Sequence, residues 1–417
     1  MALLYALAIF VSVCAIILIM RILVVCQYYY PENVVITPIC EALVARGNEV
    51  QVVTGKPNYG FGHILPGYER IKDEVINGVH VHRLPLIARK KSRISLIRNY
   101  LSFWMNAKRY LAHLKEEYDL VYSMSMSPLI SVEGGGIYAK KHGKTHLIHC
   151  LDLWPESAVI AGKVRKNSLE YRFLYRSSRK IYSSADEILI SSPSFSSYFK
   201  DVLKLPEKKV LYVPQPPLVN PLPLNGVSFP KRYNLVYAGN VGNLQLIENY
   251  VKACVYLKER KDFQFHIVGA GARLNAVLHL IEENHLGDMV IYHPVVPAAE
   301  VPSYFTNATA LLVPLANTSS PVSKTVPNKL ISSLAYSRAI LASIGGDGHE
   351  VLEKAGGAVF AGEDPKDIAQ AIEKLLSLSD EERKTMGEKN KAYFDEHFDF
   401  DKVMDQLAAA FNDVKKS

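Results

Sequence analysis

The sequence predicts an α/β protein of two doubly wound domains, each a parallel sheet covered by helices on both faces. In both halves of the chain, short apolar runs alternate with helical patterns, which is typical of βαβ units. Between the halves, prolines at positions 214, 216, 217, 221 and 223 exclude a helix or a central strand. The 417 residues suffice for two or three domains of the usual ~150 residues.

The first half supplies the strands of one predicted sheet. Residues 21–26 form its first apolar run, and a helical pattern ending at Gly47 separates this run from the next, 50–54. Further strands are predicted at 120–124, 145–150 and 187–191, with a helix ending near residue 140. We therefore expect a first domain over 20–213 and a proline-rich linker over 214–230.

The second half repeats the alternation of strands and helices. Predicted strands lie at 235–238, 263–268, 289–293, 310–314 and 339–343. Predicted helices lie at 244–259, 273–284, 364–377, 380–398 and 401–414. We expect a second domain over 231–398, followed by a C-terminal helix within 399–417 that packs back on the first domain.

An uncharged segment opens the chain. Residues 2–20 carry no charged side chain, and as a helix they would rise about 28 Å, close to the ~30 Å hydrocarbon thickness of a bilayer. Arg21 follows directly, which favours a cytoplasmic location for the rest of the chain. The sequence thus predicts a possible transmembrane helix over 1–19 with its N-terminus outside. The alternative is a translation start at Met20, directly before the first strand.

The charge distribution indicates a class of partner, and the cysteine content excludes two classes of protein. Residues 1–220 carry 28 Lys and Arg against 17 Asp and Glu, whereas residues 221–417 carry 20 against 24. A basic first half indicates an anionic partner such as a phospholipid surface, a phosphorylated substrate or nucleic acid. The five cysteines are scattered and never closer than twelve residues, which excludes a disulfide scaffold and a CxxC metal site.

Two short motifs in the second half are candidates for phosphate binding. Gly239-Asn240-Val241-Gly242 follows a predicted strand and opens a predicted helix, so its backbone could approach a phosphate. In Val326-Pro327-Asn328-Lys329-Leu330, proline begins a helix whose first amides and lysine could hold an anionic leaving group. The alternatives are a glycine turn required for steric reasons and an ordinary helix start with a solvated lysine.

Two basic segments of the first half contain interleaved apolar residues. In the first, Arg89, Lys90, Lys91, Arg93 and Arg98 alternate with aliphatic and aromatic side chains; the second spans residues 163–180. This combination is typical of helices that lie at an anionic membrane surface. The alternative is a solvated basic face. No helix-turn-helix, RRM or zinc pattern supports binding to nucleic acid.

Several strings together resemble one family, the bacterial family 4 glycosyltransferases. They lie at 54–59, 66–68, 77–83, 99–103 and 237–242, and the most distinctive is 152–157, Asp-Leu-Trp-Pro-Glu-Ser. The likeness is greatest to the branch of colanic acid and O-antigen synthesis, whose members are L-fucosamine or fucosyl transferase-like. The resemblance implies the GT-B arrangement, with the nucleotide sugar on the second domain, the acceptor on the first, and no metal or other cofactor.

The resemblance also implies roles for individual residues. Catalytic roles fall to Asp152 on the acceptor side, Lys329 at the diphosphate and Glu350 at the sugar or ribose. Donor-binding residues are Gly239, Asn240, Gly242, Asn328, Lys329, Ser332, Asp347 and Glu350. The chain departs from the family at Lys324 and Ser332, where two glutamates are usual, at Leu151, where Arg or His is frequent, and at Glu32-Asn33-Val34-Val35, which replaces a glycine-rich segment.

The sequence therefore predicts a retaining, metal-independent glycosyltransferase of hexosyl or N-acetylhexosaminyl type. It would transfer a sugar, an N-acetylated amino sugar or a deoxy sugar, from a UDP-linked donor to a lipid-linked acceptor. Its expected place is the cytoplasmic face of the bacterial inner membrane, in the synthesis of O-antigen, capsule or exopolysaccharide. Two alternatives remain: a non-catalytic GT-B partner subunit, and a nucleotide-sugar epimerase of the same architecture.

Overall fold

The computed structural model describes residues 19–90, 92–218, 225–317 and 325–416. These residues form two compact units. The first unit contains the described residues up to Cys150, Ser177–Ile188 and the C-terminal segment from Leu407. The second unit contains Leu151–Arg176 and Leu189–Gln406.

An eight-stranded sheet has the order β3-β4-β2-β1-β5-β6-β7-β8. Its strands are β1 (Arg21–Val25), β2 (Glu49–Gly55), β3 (Asp73–Ile76), β4 (Val79–Leu84), β5 (Leu120–Ser125), β6 (Thr145–Cys150), β7 (Glu187–Ile190) and β8 (Lys209–Tyr212). Strands β4, β2, β1, β5 and β6 pair in parallel, and β3 runs antiparallel to β4. The central strand β1 is buried on both faces because it is continuously apolar from Ile22 onward.

A six-stranded sheet, entirely parallel, has the order β11-β10-β9-β12-β13-β14. Its strands are β9 (Tyr233–Ala238), β10 (Phe263–Val268), β11 (Val290–His293), β12 (Ala310–Pro314), β13 (Ala339–Ser343) and β14 (Ala358–Phe360). The predicted fold class, two doubly wound parallel sheets with helices, is confirmed.

Helices cover both sheets. Those in the first half are α1 (Ile36–Ala45), α2 (Arg93–His113), α3 (Glu133–His142), α4 (Glu156–Ile160) and α5 (Leu169–Ser184). Those in the second half are α6 (Ile247–Val255), α7 (Leu274–Glu283), α8 (Val301–Thr306), α9 (Asn328–Leu334), α10 (Gly346–Ala355), α11 (Pro365–Ser377), α12 (Asp380–His397) and α13 (Phe400–Lys416). Helix α2 buries one stripe, Phe103, Ala107 and Leu111, at the four-residue spacing of one helix face.

The sequence reasoning missed several elements. Strands β3 and β4 form a hairpin whose turn is Asn77-Gly78, both at positive φ (48° and 83°), as a tight hairpin turn requires. The helix predicted at 244–259 forms only as α6, because Leu246 takes φ 48° just before it. Strand β14 was also not predicted.

The predicted transmembrane helix over 1–19 lies, apart from Ile19, outside the described residues. Over residues 19–416 with the gaps stated above, no helix combines the length and the apolar character needed to cross a membrane. Of the predicted proline-rich linker, residues 219–224 also lie outside the described part of the chain.

Candidate functional site

A glycine turn and a lysine meet at the carboxyl end of β9. Gly239 has φ 140°, and its amide donates to the Val268 carbonyl at 2.8 Å. A Cβ at this position would lie 2.3 Å from Cε of Lys329. Residue 239 must therefore lack a side chain both for its backbone conformation and for the approach of the lysine.

Lys329 lies in the first turn of α9 and points back to β9. Its Nζ donates to the Tyr237 hydroxyl, lies 3.5 Å from the Asn240 carbonyl oxygen, and stands 4.4 Å from the centre of the Tyr237 ring. Burial lowers the pKa of Lys329 to about 8. Within the described residues no carboxylate pairs with this ammonium group, so a cation without a counter-ion stands beside the glycine turn.

The side chain of Gln245, to which the sequence analysis gave no role, caps the rest of the turn. Gln245 Oε1 accepts a hydrogen bond from the Gly242 amide at 3.1 Å and one from Asn240 Nδ2 at 3.4 Å. The predicted phosphate-binding amide of Gly242 is therefore already bonded within the turn. The signal was present, because glutamine three residues after a turn amide can cap it as in a capping box.

Asn328 and Ser332, predicted to bind the donor, bond to the protein instead. Asn328 Nδ2 donates to the Pro216 carbonyl at 2.9 Å, and its Oδ1 accepts from the Leu218 amide at 3.2 Å. The Ser332 hydroxyl, 8% exposed, donates to the same Oδ1 at 3.2 Å. These side chains hold residues 216–218 against α9, and thereby fix the helix that carries Lys329.

Helix α10 carries the two predicted acids in different surroundings. Asp347, 7% exposed, accepts a hydrogen bond from the Ser194 amide at 2.8 Å, so it acts as a structural acceptor. Glu350 is exposed on the same helix. Of the two, Glu350 has the side chain that can reach a ligand.

Asp152 lies just after the carboxyl end of β6. It is half-buried, and burial raises its pKa to about 7, so the carboxyl group can exchange a proton near neutral pH. Sequence reasoning missed the adjacent Glu156, which is buried and accepts hydrogen bonds from the Tyr171 hydroxyl at 2.7 Å and the Tyr198 hydroxyl at 2.5 Å. Glu156 anchors the short helix α4 that follows Asp152.

The first predicted basic segment divides into two parts. Helix α2 begins at Arg93, with the Ser92 hydroxyl accepting from the Ser95 amide at 3.2 Å, so Arg93 and Arg98 lie on a helix as expected. Arg89 precedes the helix, and its guanidinium lies over the Tyr59 ring, 5.0 Å from its centre. The expectation that Arg89 faces a membrane stays a prediction, and Lys91 lies outside the described residues.

No group of three or more His, Cys, Asp or Glu side chains among the residues described is arranged to hold a metal ion. The predicted turn and lysine do meet, whereas the described contacts of Asn328, Ser332 and Asp347 are to the protein. The relation of Asp152 and Glu350 to this pair stays a prediction.

Family models match both halves of the chain. The model described as glycosyl transferase 4-like domain matches residues 33–216, and the model described as glycosyl transferases group 1 matches residues 226–393. Together these matches cover more than four-fifths of the sequence. The folds of both sheets and the site at β9 agree with this assignment, so the chain belongs to the family 4 glycosyltransferases with the GT-B fold.

Individual relatives agree with the family. The probable glycosyltransferase WbjE of Pseudomonas aeruginosa is 30% identical over 249 residues, 56% of this chain and 59% of the relative. A D-inositol 3-phosphate glycosyltransferase of Paenarthrobacter aurescens is 28% identical over 158 residues, 36% of this chain and 37% of the relative. The matched regions thus span about six-tenths or less of these relatives.

Solved structures share the fold at low identity. Sucrose-phosphate synthase of Thermosynechococcus elongatus has 17% identity and a TM-score of 0.70, covering 94% of this chain and 98% of that one. Anabaena HepE, crystallised with UDP, has 11% identity and a TM-score of 0.68, covering 94% and 100%. Both confirm the GT-B architecture expected from the sequence.

Proposed function

We propose that this protein is a retaining, metal-independent glycosyltransferase that uses a UDP-linked sugar. The observation that carries the proposal is the Lys329 ammonium, which faces the Gly239 turn without a carboxylate partner in the described residues. With a pKa of about 8 it is mostly protonated at pH 7. A fixed cation there would stabilise the negative charge that develops on a diphosphate leaving group. The UDP-bound relative HepE supports the choice of nucleotide.

The remaining roles in this proposal follow the resemblance. Glu350 would contact the sugar or ribose, and Asp152 would orient or deprotonate the acceptor hydroxyl, a role supported by its pKa near 7. The string at 152–157 supports the fucosamine or fucosyl branch, and hence an N-acetylated amino sugar or a deoxy sugar on a lipid-linked acceptor in surface polysaccharide synthesis.

We further propose that the protein works at the cytoplasmic face of the bacterial inner membrane. Helix α2 exposes an apolar stripe made of Ile94, Ile97, Leu101 and Met105, whose exposed fractions range from 38% to 71%. Their spacing places them along one side of the helix, with basic residues on the same helix. Such a stripe suits insertion into the headgroup region of anionic lipid, and the segment 1–19 would add a spanning anchor.

Binding and product analysis test the proposed reaction. Isothermal titration with UDP should give a micromolar-to-millimolar Kd in the wild type, and at least a tenfold weaker one in Lys329→Ala. Lys354→Ala, which removes an exposed lysine of the same unit, should bind as the wild type does. The product formed on a lipid-linked acceptor should keep the anomeric configuration of the donor, as read by NMR. A wild type that binds no UDP, or a product of inverted configuration, would overturn the proposal.

A second candidate, a non-catalytic partner subunit, is favoured by one observation. Ser332 stands where the family usually has a glutamate, and its hydroxyl is used internally on Asn328. This candidate predicts UDP binding without turnover of any UDP-sugar. Measured release of UDP from a UDP-sugar in the presence of acceptor excludes it.

A further inference from the structure

A half-buried arginine in the first unit, Arg89, is surrounded by tyrosine side chains. The Arg89 guanidinium lies 5.0 Å from the centre of the Tyr59 ring and 6.0 Å from that of Tyr100, and the Tyr28 hydroxyl lies near it. Tyr28 and Tyr59 pack edge to face with ring centres 5.1 Å apart. In the part of the chain that the structure describes, no carboxylate pairs with Arg89.

A buried amide network fixes the position of this arginine. Asn58 Oδ1 accepts from the Arg89 backbone amide and from Asn99 Nδ2, each at 3.0 Å. Gln27 Nε2 in turn donates to Asn99 Oδ1 at 2.9 Å. Asn58 and Asn99 are fully buried and Gln27 is 3% exposed, so the network is rigid and holds the backbone at residue 89.

Glu32, in the segment that departs from the family pattern, holds the loop that carries Asn58 and Tyr59. Glu32 Oε1 accepts hydrogen bonds from the Asn58 amide at 2.7 Å and the Tyr59 amide at 2.6 Å. The carboxylate is thus committed to the loop backbone and does not neutralise Arg89. These hydrogen bonds, which meet at Asn58, therefore orient a cation and an aromatic ring that is 51% exposed.

These residues gather where a ligand of this fold binds. Gln27 and Tyr28 follow β1, Asn58 and Tyr59 follow β2, and Arg89 follows β4. The carboxyl ends of these adjacent parallel strands lie at one edge of the sheet, the edge that binds ligands in open α/β sheets. A half-buried charge without a protein counter-ion indicates an anionic ligand, and a planar guanidinium suits two oxygens of a phosphate.

We propose that Arg89, with Tyr28, Tyr59 and Tyr100 around it, binds the diphosphate group of an anionic acceptor. The inference rests on the proposed transferase function, because only then does the first unit receive an acceptor. The exposed ring of Tyr59 would cover the part of the acceptor next to the diphosphate, while the amide network keeps the guanidinium in place.

Titration with farnesyl diphosphate, with UDP present at saturation to occupy the donor site, tests the proposal. The wild type should bind, and Arg89→Gln should bind at least tenfold more weakly. Arg70→Gln, which removes an exposed arginine of the same unit, should match the wild type. Tyr59→Phe should also match it, whereas Tyr59→Ala should weaken binding several-fold. Farnesol, the uncharged probe, should show no dependence on Arg89.

Each result decides a separate point. If Arg89→Gln keeps wild-type affinity while its thermal unfolding is unchanged, or if Arg70→Gln weakens binding equally, the site assignment is wrong. If the wild type binds UDP but no farnesyl diphosphate, this inference fails and the proposed function stands; absence of UDP binding removes both. Inorganic diphosphate separates the sources: equal affinity assigns the site to free diphosphate, and weaker affinity assigns it to a lipid-linked one.

Discussion

Substitution of Gly239 by alanine should displace the Lys329 ammonium group and leave most of the second unit unchanged. The added Cβ would lie 2.3 Å from Cε and 2.5 Å from Nζ of the lysine, so that flexible side chain must move. The backbone at φ 140° adds strain of roughly 1–3 kcal/mol for a residue with a side chain. Loss of one charge-assisted hydrogen bond costs about 1.5–3 kcal/mol, which corresponds to a Kd for UDP that is weaker by about 10- to 150-fold.

The assay is isothermal titration with UDP, accompanied by urea unfolding of the same samples. Gly60→Ala is the matched control, because Gly60 also has a positive φ, 84°, but no atom lies within 4 Å of the position that an alanine methyl group would take there. It should lose stability similarly and keep its affinity for UDP. If Gly239→Ala binds UDP as tightly as the wild type, or if Gly60→Ala weakens binding to the same degree, the reasoning about the lysine is refuted.

Three further predictions concern pH and lipid. Affinity for UDP should fall as the pH rises through about 8, because the Lys329 ammonium (pKa about 8) loses its proton over that range. Titrations at pH 7 and 9.5 should show this loss, and Lys329→Ala should not show it. Burial lowers the pKa of His266 from 6.5 to about 4, so its stabilising effect is present above pH 6.5 and is lost as the pH falls. Urea unfolding should show that His266 contributes a loss of about 2 kcal/mol between pH 7 and 5, and His266→Gln should lose less stability than the wild type by about that amount. A smaller loss remains in the variant, because burial also lowers the pKa of His293. In a chain beginning at residue 20, the double substitution Ile94→Ser and Leu101→Ser should reduce flotation with anionic vesicles several-fold. The control Val75→Ser, at an exposed apolar residue of β3, should not reduce it. Equal flotation of the double variant and the control would contradict the proposed membrane contact.

The parallel sheets could be predicted because their strands carry a simple signal. Residues 22–25 are apolar at every position. Such a continuous run is typical of a strand that is buried on both faces, because both sets of alternating side chains then need to be apolar. The hairpin of β3 and β4 was missed because β3, Asp-Glu-Val-Ile, is half polar and lies at the sheet edge, although Asn77-Gly78 is a strong turn signal.

Only those parts of the site that lie in short sequence motifs could be predicted. The Gly239 turn and Lys329 were found because each follows a local rule for phosphate binding. Their direct contact spans 90 residues of sequence, and the partners of Asn328 are set by tertiary packing, so neither follows from spacing. The orientation of Arg89 depends likewise on Asn58, which lies 31 residues away.

The hydrogen bonds of Asn328 have a thermodynamic consequence. One side chain joins residues 216–218 to α9, and the next residue along that helix is Lys329. If a ligand at Lys329 strengthens these hydrogen bonds, linkage requires that the attachment of residues 216–218 strengthens ligand binding by the same coupling free energy. Conversely, a displacement of residues 216–218 would change the affinity of a ligand that binds at Lys329. Occupancy of the proposed nucleotide site and the attachment of residues 216–218 would then be thermodynamically coupled.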